Sequence, residues 1–187
     1  MHVRPPPSEG RRRRAFTLAE LLVVVGIIAV LAAILLPTLA RAQREARKVS
    51  CKAQLQQVGY AFRMYMDQSN KGRYPRAPAL PSVNPNNYPP IQDTLESFVN
   101  HDVRVFRCPA DDTVYPAEGT SYFYYSELGE TTVNQTFFWK VYQDVTKVPV
   151  LWDADHYHGG NLPFNWLFAD GHVEHFLDGV EQKGAGK

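Results

Sequence analysis

The chain has 187 residues, 44% hydrophobic and 21% charged, with a formal net charge of +1; this is enough apolar material for a real core and excludes a disordered polymer. The near-neutral total hides an asymmetry, because residues 1–15 carry five Arg and one Glu and leave 15 basic against 18 acidic residues in the remainder. A mildly acidic remainder lacks the clustered Lys and Arg that nucleic acid requires, so no nucleic-acid partner is expected.

The first element is an apolar run behind Arg11–Arg14. Leu21 to Leu36 contains no charge, and the weakly polar flanks extend the run over residues 16–40. As a helix these would measure roughly 37 Å against a hydrocarbon core of about 30 Å, so the segment is long enough to span a membrane. The arginines fix the N-terminus on the cytoplasmic side and export everything after the run. Glu20 is the one acid at the head of this run, and an acid at that place reads first as a site with a partner elsewhere. Two competitors release a soluble protein: a cleaved signal ending at Ala40-Arg41-Ala42, or a twin-arginine signal built on Arg13-Arg14. A disposable segment has no use for Glu20, which counts against both.

Ala15, followed by Phe16-Thr17-Leu18-Ala19-Glu20, the apolar run and Pro37, resembles the leader and N-terminal helix of type IV pilins and type II secretion pseudopilins. The resemblance implies a cut between Ala15 and Phe16 by a prepilin peptidase, N-methylation of Phe16, and assembly roles for Glu20 and Pro37. Ala15 stands where that family usually has Gly. Cleavage would create a cationic amine on Phe16, since an α-amino group has a reference pKa of about 7.7–8.0. Glu20 of a neighbouring copy could pair with that amine, and a one-residue axial slip would leave both charges unpaired. Gly26, Ala29, Ala32 and Ala33 allow close helix approach, and Pro37 removes one backbone hydrogen bond.

Beyond Leu39 the composition turns polar while the helix pattern continues to residue 69. Cys51, Leu55, Val58, Phe62, Tyr65 and Met66 recur at three- and four-residue steps and form one apolar stripe, with Arg44, Arg47, Lys48, Lys52, Gln56 and Arg63 largely elsewhere. With residues 1–15 removed, such a helix would be on the order of 80 Å long. Asn70-Lys71-Gly72 ends it, and six prolines in residues 73–90 make residues 70–91 a connecting loop. Residues 92–100 predict a short helix with Asp93 near its start and Leu95, Phe98 and Val99 on one side.

Six runs then read as strands: 103–107, 121–126, 136–142, 148–152, 165–169 and 172–177. Asp170-Gly171 between the last two predicts a two-residue type I′ hairpin. The expected fold class is α+β and pilin-like: a long N-terminal hydrophobic helix packed on a small antiparallel sheet. The expected divisions are a cytoplasmic leader 1–15, a membrane and polymerisation helix 16–40, and an exported head 41–187 with its β-rich region at 103–177.

Cys51 and Cys108 make no Cys-x-x-Cys pair and no metal set by spacing. In an exported, oxidising compartment they read as a disulfide, or else as two unrelated buried thiols. A bridge would close a loop of some 57 residues, worth about 4 kcal/mol in the chain-entropy model. Cys108-Pro109, followed by Ala-Asp-Asp, also resembles a segment of bacterial pseudopilin-like proteins.

Asp153, Asp155, His156, His158, Asp170, His172 and His175 crowd the last third of the chain. The candidate metal residues are Asp153, Asp155, His158 and Asp170: histidine with carboxylate ligands suits zinc or a hydrolytic site, while Asp153-x-Asp155 with Asn161 offers oxygen ligands for a structural Ca²⁺; the plain reading is polar strand-edge and turn residues. His158-Gly159-Gly160 and Phe168-Ala169-Asp170-Gly171-His172-Val173 resemble the His to Asp-Gly signature of a large group of prepilin-like proteins. Eleven residues lie between His158 and Asp170 here, two more than that signature usually has. No phosphate loop and no nucleophile elbow appears.

The expected function is a leader-processed pseudopilin, a structural subunit of a type II secretion filament, without catalytic residues and with no cofactor beyond the candidate Ca²⁺. The alternatives are a type IV pilus subunit and a membrane-anchored metal-dependent enzyme. The expected partners are further copies of the chain, other pseudopilins, the prepilin peptidase/methyltransferase and the secretion-system assembly platform. The expected location is the bacterial inner membrane, single-pass, with a periplasmic head that is drawn into a filament.

Overall fold

The computed structural model describes residues 17–68, 72–158 and 164–175. It falls into two compact units, Met1–Ala42 and Gln43–Lys187. Ala15 and Phe16, the Asn70-Lys71 part of the expected helix stop, the Gly159-Gly160-Asn161 loop and residues 176–177 of the last expected strand lie outside the described residues.

Helix α1 spans Leu18–Gln68, with Pro37 inside it. In the first unit every leucine, isoleucine and valine from Leu18 to Leu39 is exposed. A helix that is apolar all round and touches no core needs lipid or other helices to cover it, and this one is long and apolar enough to cross a membrane. The helix continues through Pro37, and the neighbouring Thr38 hydroxyl donates to the Leu35 carbonyl at 2.7 Å.

In the second unit the expected stripe of α1 forms one wall of the core. Cys51, Leu55, Val58, Ala61 and Phe62 are buried, and Tyr65 and Met66 pack against them. Opposite stands a four-stranded antiparallel sheet in the order β1-β2-β3-β4, made of Tyr122–Tyr124, Pro149–Asp153, Asn165–Phe168 and Val173–His175. Alternation along the strands sends Tyr122, Tyr124, Leu151, Asp153, Asn165 and Leu167 to the buried face. The other face carries stacked aromatics: Phe123 on Trp152 and Trp152 on Trp166, each with ring centroids 4.9 Å apart. The fold is α+β, as the sequence predicts.

Of the six expected strands, two are helical. Val103–Phe106 is a 3₁₀ turn in which Asp102 accepts from the Arg104 amide at 3.2 Å. Phe137–Tyr142 is a short helix in which the Thr136 hydroxyl accepts from the Trp139 amide at 3.2 Å. In both, a polar cap one residue before the aromatic or β-branched run satisfies a helix amide, and that local bond outweighs the weak, context-dependent strand preference. The run expected at 92–100 is the helix Ile91–Leu95 followed by the 3₁₀ turn Glu96–Val99.

The Asp170-Gly171 hairpin forms with a longer loop than expected. Phe168 accepts from the Gly171 amide at 2.8 Å and donates to His172 at 3.0 Å, leaving Ala169, Asp170 and Gly171 in the loop. Only Gly171 has a positive φ, +90°, so the turn is a three-residue one with glycine at the left-handed position. A Cβ there would also lie 2.9 Å from the Arg63 guanidinium.

Candidate functional site

At the start of α1 the acid found in the sequence has a local partner. The Thr17 amide and the Thr17 hydroxyl donate to Glu20 Oε2 at 2.9 and 2.8 Å, and the Glu20 amide donates to the Thr17 hydroxyl at 3.2 Å. This reciprocal pair is a capping box, and its Thr-x-x-Glu spacing stands in the sequence as Thr17-Leu18-Ala19-Glu20. Glu20 therefore begins the helix as well as interrupting its apolar character. Ala15 and Phe16, the expected processing and methylation residues, lie outside the described residues.

In the second unit, residues far apart in sequence meet at the end of the sheet. Cys51 comes from α1. Asp153 ends β2, directly across from Tyr122 of β1. Cys108 follows the 3₁₀ turn Val103–Phe106, and its amide donates to the Ser121 hydroxyl at 2.9 Å. Asp111, fully buried, accepts from the amides of Thr113, Val114 and Tyr115 at 2.8 Å each, while its own amide donates to the Cys108 carbonyl at 2.9 Å. Those bonds give Cys108-Pro109-Ala110-Asp111 a fixed shape and hold the Cys108 sulfur inward.

Cys51 Sγ, Cys108 Sγ and a ring nitrogen of His158 lie within 4.8 Å of one another. Cys108 Sγ is 3.6 Å from His158 Nε2, and that nitrogen is 3.5 Å from Asp153 Oδ2. Cys51 Sγ is 3.5 Å from Asp153 Oδ1 and 3.5 Å from the Tyr122 hydroxyl. The His158 and Asp153 side chains are 1% and 0% exposed. Asn165 supports the carboxylate: its backbone amide and its side-chain Nδ2 donate to Asp153 Oδ2 at 2.8 and 2.9 Å.

These groups shift one another's protonation. The Cys51 thiol beside Cys108 lowers the latter to about 6, against burial and with help from His158 and the Ala110 amide. Cys51 is pushed up by that same hydrogen bond, by burial and by the Asp153 charge. For His158, burial pulls downward, but Asp153 and Cys108 outweigh it and raise the imidazole to about 9.

The expected disulfide is a proximity without a bond in this structure, where both cysteines are free thiols. Of the expected metal set, Asp153 and His158 come together, while Asp155 is exposed and accepts only from the His156 amide among the bonds at its side chain. Asp170 sits in the β3–β4 loop, where its Oδ1 is 2.5 Å from His172 Nδ1. Neither Asp155 nor Asp170 joins a metal-competent cluster among the described residues. His172 stacks on Phe168, and His156 lies against Phe164. The sequence reading missed the cysteines as partners of His158, and missed Asn165 and Tyr122 altogether. Strand alternation places Asn165 and Asp153 on the buried face once the register is known, but no local spacing announces it.

The family model of the prokaryotic N-terminal methylation motif matches residues 10–36. No curated protein and no solved structure matches the chain. The motif, the long apolar helix behind it and the α+β head fit a type IV pilin-like or pseudopilin chain. The motif implies processing by a prepilin peptidase and assembly into pilin-type polymers, and with the apolar helix it points to membrane anchoring.

Proposed function

We propose that the chain is a pseudopilin, a structural subunit of a type II secretion filament cut between Ala15 and Phe16 and methylated on Phe16. The observation that carries this reading is the methylation motif at residues 10–36 ending within a helix whose apolar side chains are exposed on all sides. Such a surface is covered by lipid before assembly and by neighbouring copies after it. In the processed chain the Phe16 amine of one copy pairs with Glu20 of the next, and Glu20 exchanges its Thr17 bonds for a charge-assisted one. The periplasmic head faces other pseudopilins and the assembly platform.

The secretion filament is preferred to a type IV pilus because the Cys108-Pro109-Ala-Asp-Asp segment resembles pseudopilin-like proteins. Deleting the chain is expected to stop export of folded enzymes across the outer membrane while surface pili persist. Loss of surface pili with export intact would assign the chain to a pilus instead.

A further inference from the structure

We propose that Cys51, Cys108, His158 and Asp153 form a structural zinc site that fastens α1 to the sheet of the head. The inference is independent of the filament reading. A tetrahedral zinc ion with Zn–S of about 2.3 Å and Zn–N or Zn–O of about 2.0–2.2 Å sets neighbouring ligand atoms roughly 3.3–3.8 Å apart. Two separations in the cluster match such edges, Cys108 Sγ to His158 Nε2 at 3.6 Å and His158 Nε2 to Asp153 Oδ2 at 3.5 Å, and the other oxygen of the Asp153 carboxylate lies 3.5 Å from Cys51 Sγ. The two sulfurs and the imidazole also stand within 4.8 Å of one another. Two thiolates, an imidazole and a carboxylate are a borderline-soft donor set, which selects zinc over Ca²⁺ or Mg²⁺.

The surroundings are those of ligands held in place. Asn165 Nδ2 points toward Cys51 Sγ at 3.7 Å as well as toward Asp153. Its Oδ1, buried, has no hydrogen-bond partner among the described residues; the reverse amide orientation would set a carbonyl against the carboxylate. The side chain thus gives up its oxygen to donate to two anionic ligands, as outer-shell groups at metal sites do. Tyr122 and the Ala110 amide add donors toward Cys51 and Cys108. A groove lined by Arg44, Arg47, Ala110, His156, Tyr157 and His158 runs beside the cluster.

A disulfide would use the same two sulfurs, but it would engage neither Asp153 nor His158. It would leave Asp153 paired with His158 and Asn165 as they stand. The cation uses all four groups.

The test takes the full chain, extracted from membranes in detergent without chelator. One zinc per chain is expected by elemental analysis, with both thiols unreactive until a chelator is added. Replacement by Co²⁺ is expected to give thiolate-to-cobalt charge transfer and the intense visible bands of tetrahedral coordination. Cys108→Ser and His158→Ala should each lose zinc, and Asn165→Ala should weaken zinc affinity by about 10–100-fold, the range for outer-shell groups. A wild-type chain that takes up no zinc from a buffered solution overturns the proposal, as does one two hydrogens lighter than the dithiol mass or one giving a cobalt spectrum without charge transfer. The cobalt spectrum is read on the wild-type chain, so a variant that fails to fold does not decide the matter.

Discussion

Two carboxylates show how differently the two ends of this molecule are built. Glu20 is exposed at the head of α1 and is held by Thr17, three residues away. Asp153 is buried, and its partners arrive from α1 through Cys51, from β3 through Asn165 and from the chain after β2 through His158. In the N-terminal unit the described chemistry is local, and its further partners are other molecules: a peptidase, lipid, and other copies of the chain. In the head the chemistry exists only after folding, because sequence separations of 102 and 12 residues must close to assemble it. A segment that must be recognised before and during assembly works as a linear motif. A group that stabilises a small folded head does not need to.

This contrast can be tested by substitutions that should disable one region and spare the other. The largest effect on assembly is expected from Glu20→Ala, which should reduce filament yield by on the order of tenfold or more, the factor that about 1.4 kcal/mol represents. The head's unfolding midpoint should stay where it is. Normal filament yield from that variant, measured by shearing and quantitation, would remove Glu20 from assembly and leave it a helix cap alone.

Leu55→Ala should do the reverse. Leu55 is fully buried between α1 and the sheet, and its truncation is expected to lower head stability by about 2–5 kcal/mol in denaturant unfolding, with processing at Ala15 unchanged. Asp111→Ala should cost the head about 1.5–3 kcal/mol, the range for hydrogen bonds to a charged group, since it removes a buried carboxylate that accepts from three amides. The smallest effect is expected at Gly59, where an added Cβ would lie 3.0 Å from a Leu167 methyl. Gly59→Val should cost about 1–3 kcal/mol through overpacking, and Gly59→Ala less, because that methyl can yield by a few tenths of an ångström.

The legibility of the sequence follows the same division. The stripe Cys51, Leu55, Val58, Phe62, Tyr65, Met66 was readable because a helix repeats its face every three or four residues, and all six meet the core. Four of the six strand runs were readable from alternation and turn residues. Val103–Phe106 and Phe137–Tyr142 misled because aromatic and β-branched side chains signal half-buried surface rather than a strand as such, and the caps Asp102 and Thr136 carried the decisive information. Thr17 and Glu20 show an available signal passed over: their spacing is a helix start, legible without any structure. The Cys51, Cys108, His158 and Asp153 cluster is the opposite case. Its members sit on four different segments, and only the strand register and the docking of α1 bring them together.

The central claim, that this chain is a prepilin-type subunit processed ahead of Phe16, is tested most directly by intact-mass and N-terminal analysis of the membrane-extracted protein. The account predicts a mature chain beginning with N-methylated Phe16. A chain beginning at Gln43 or retaining Met1 would contradict it.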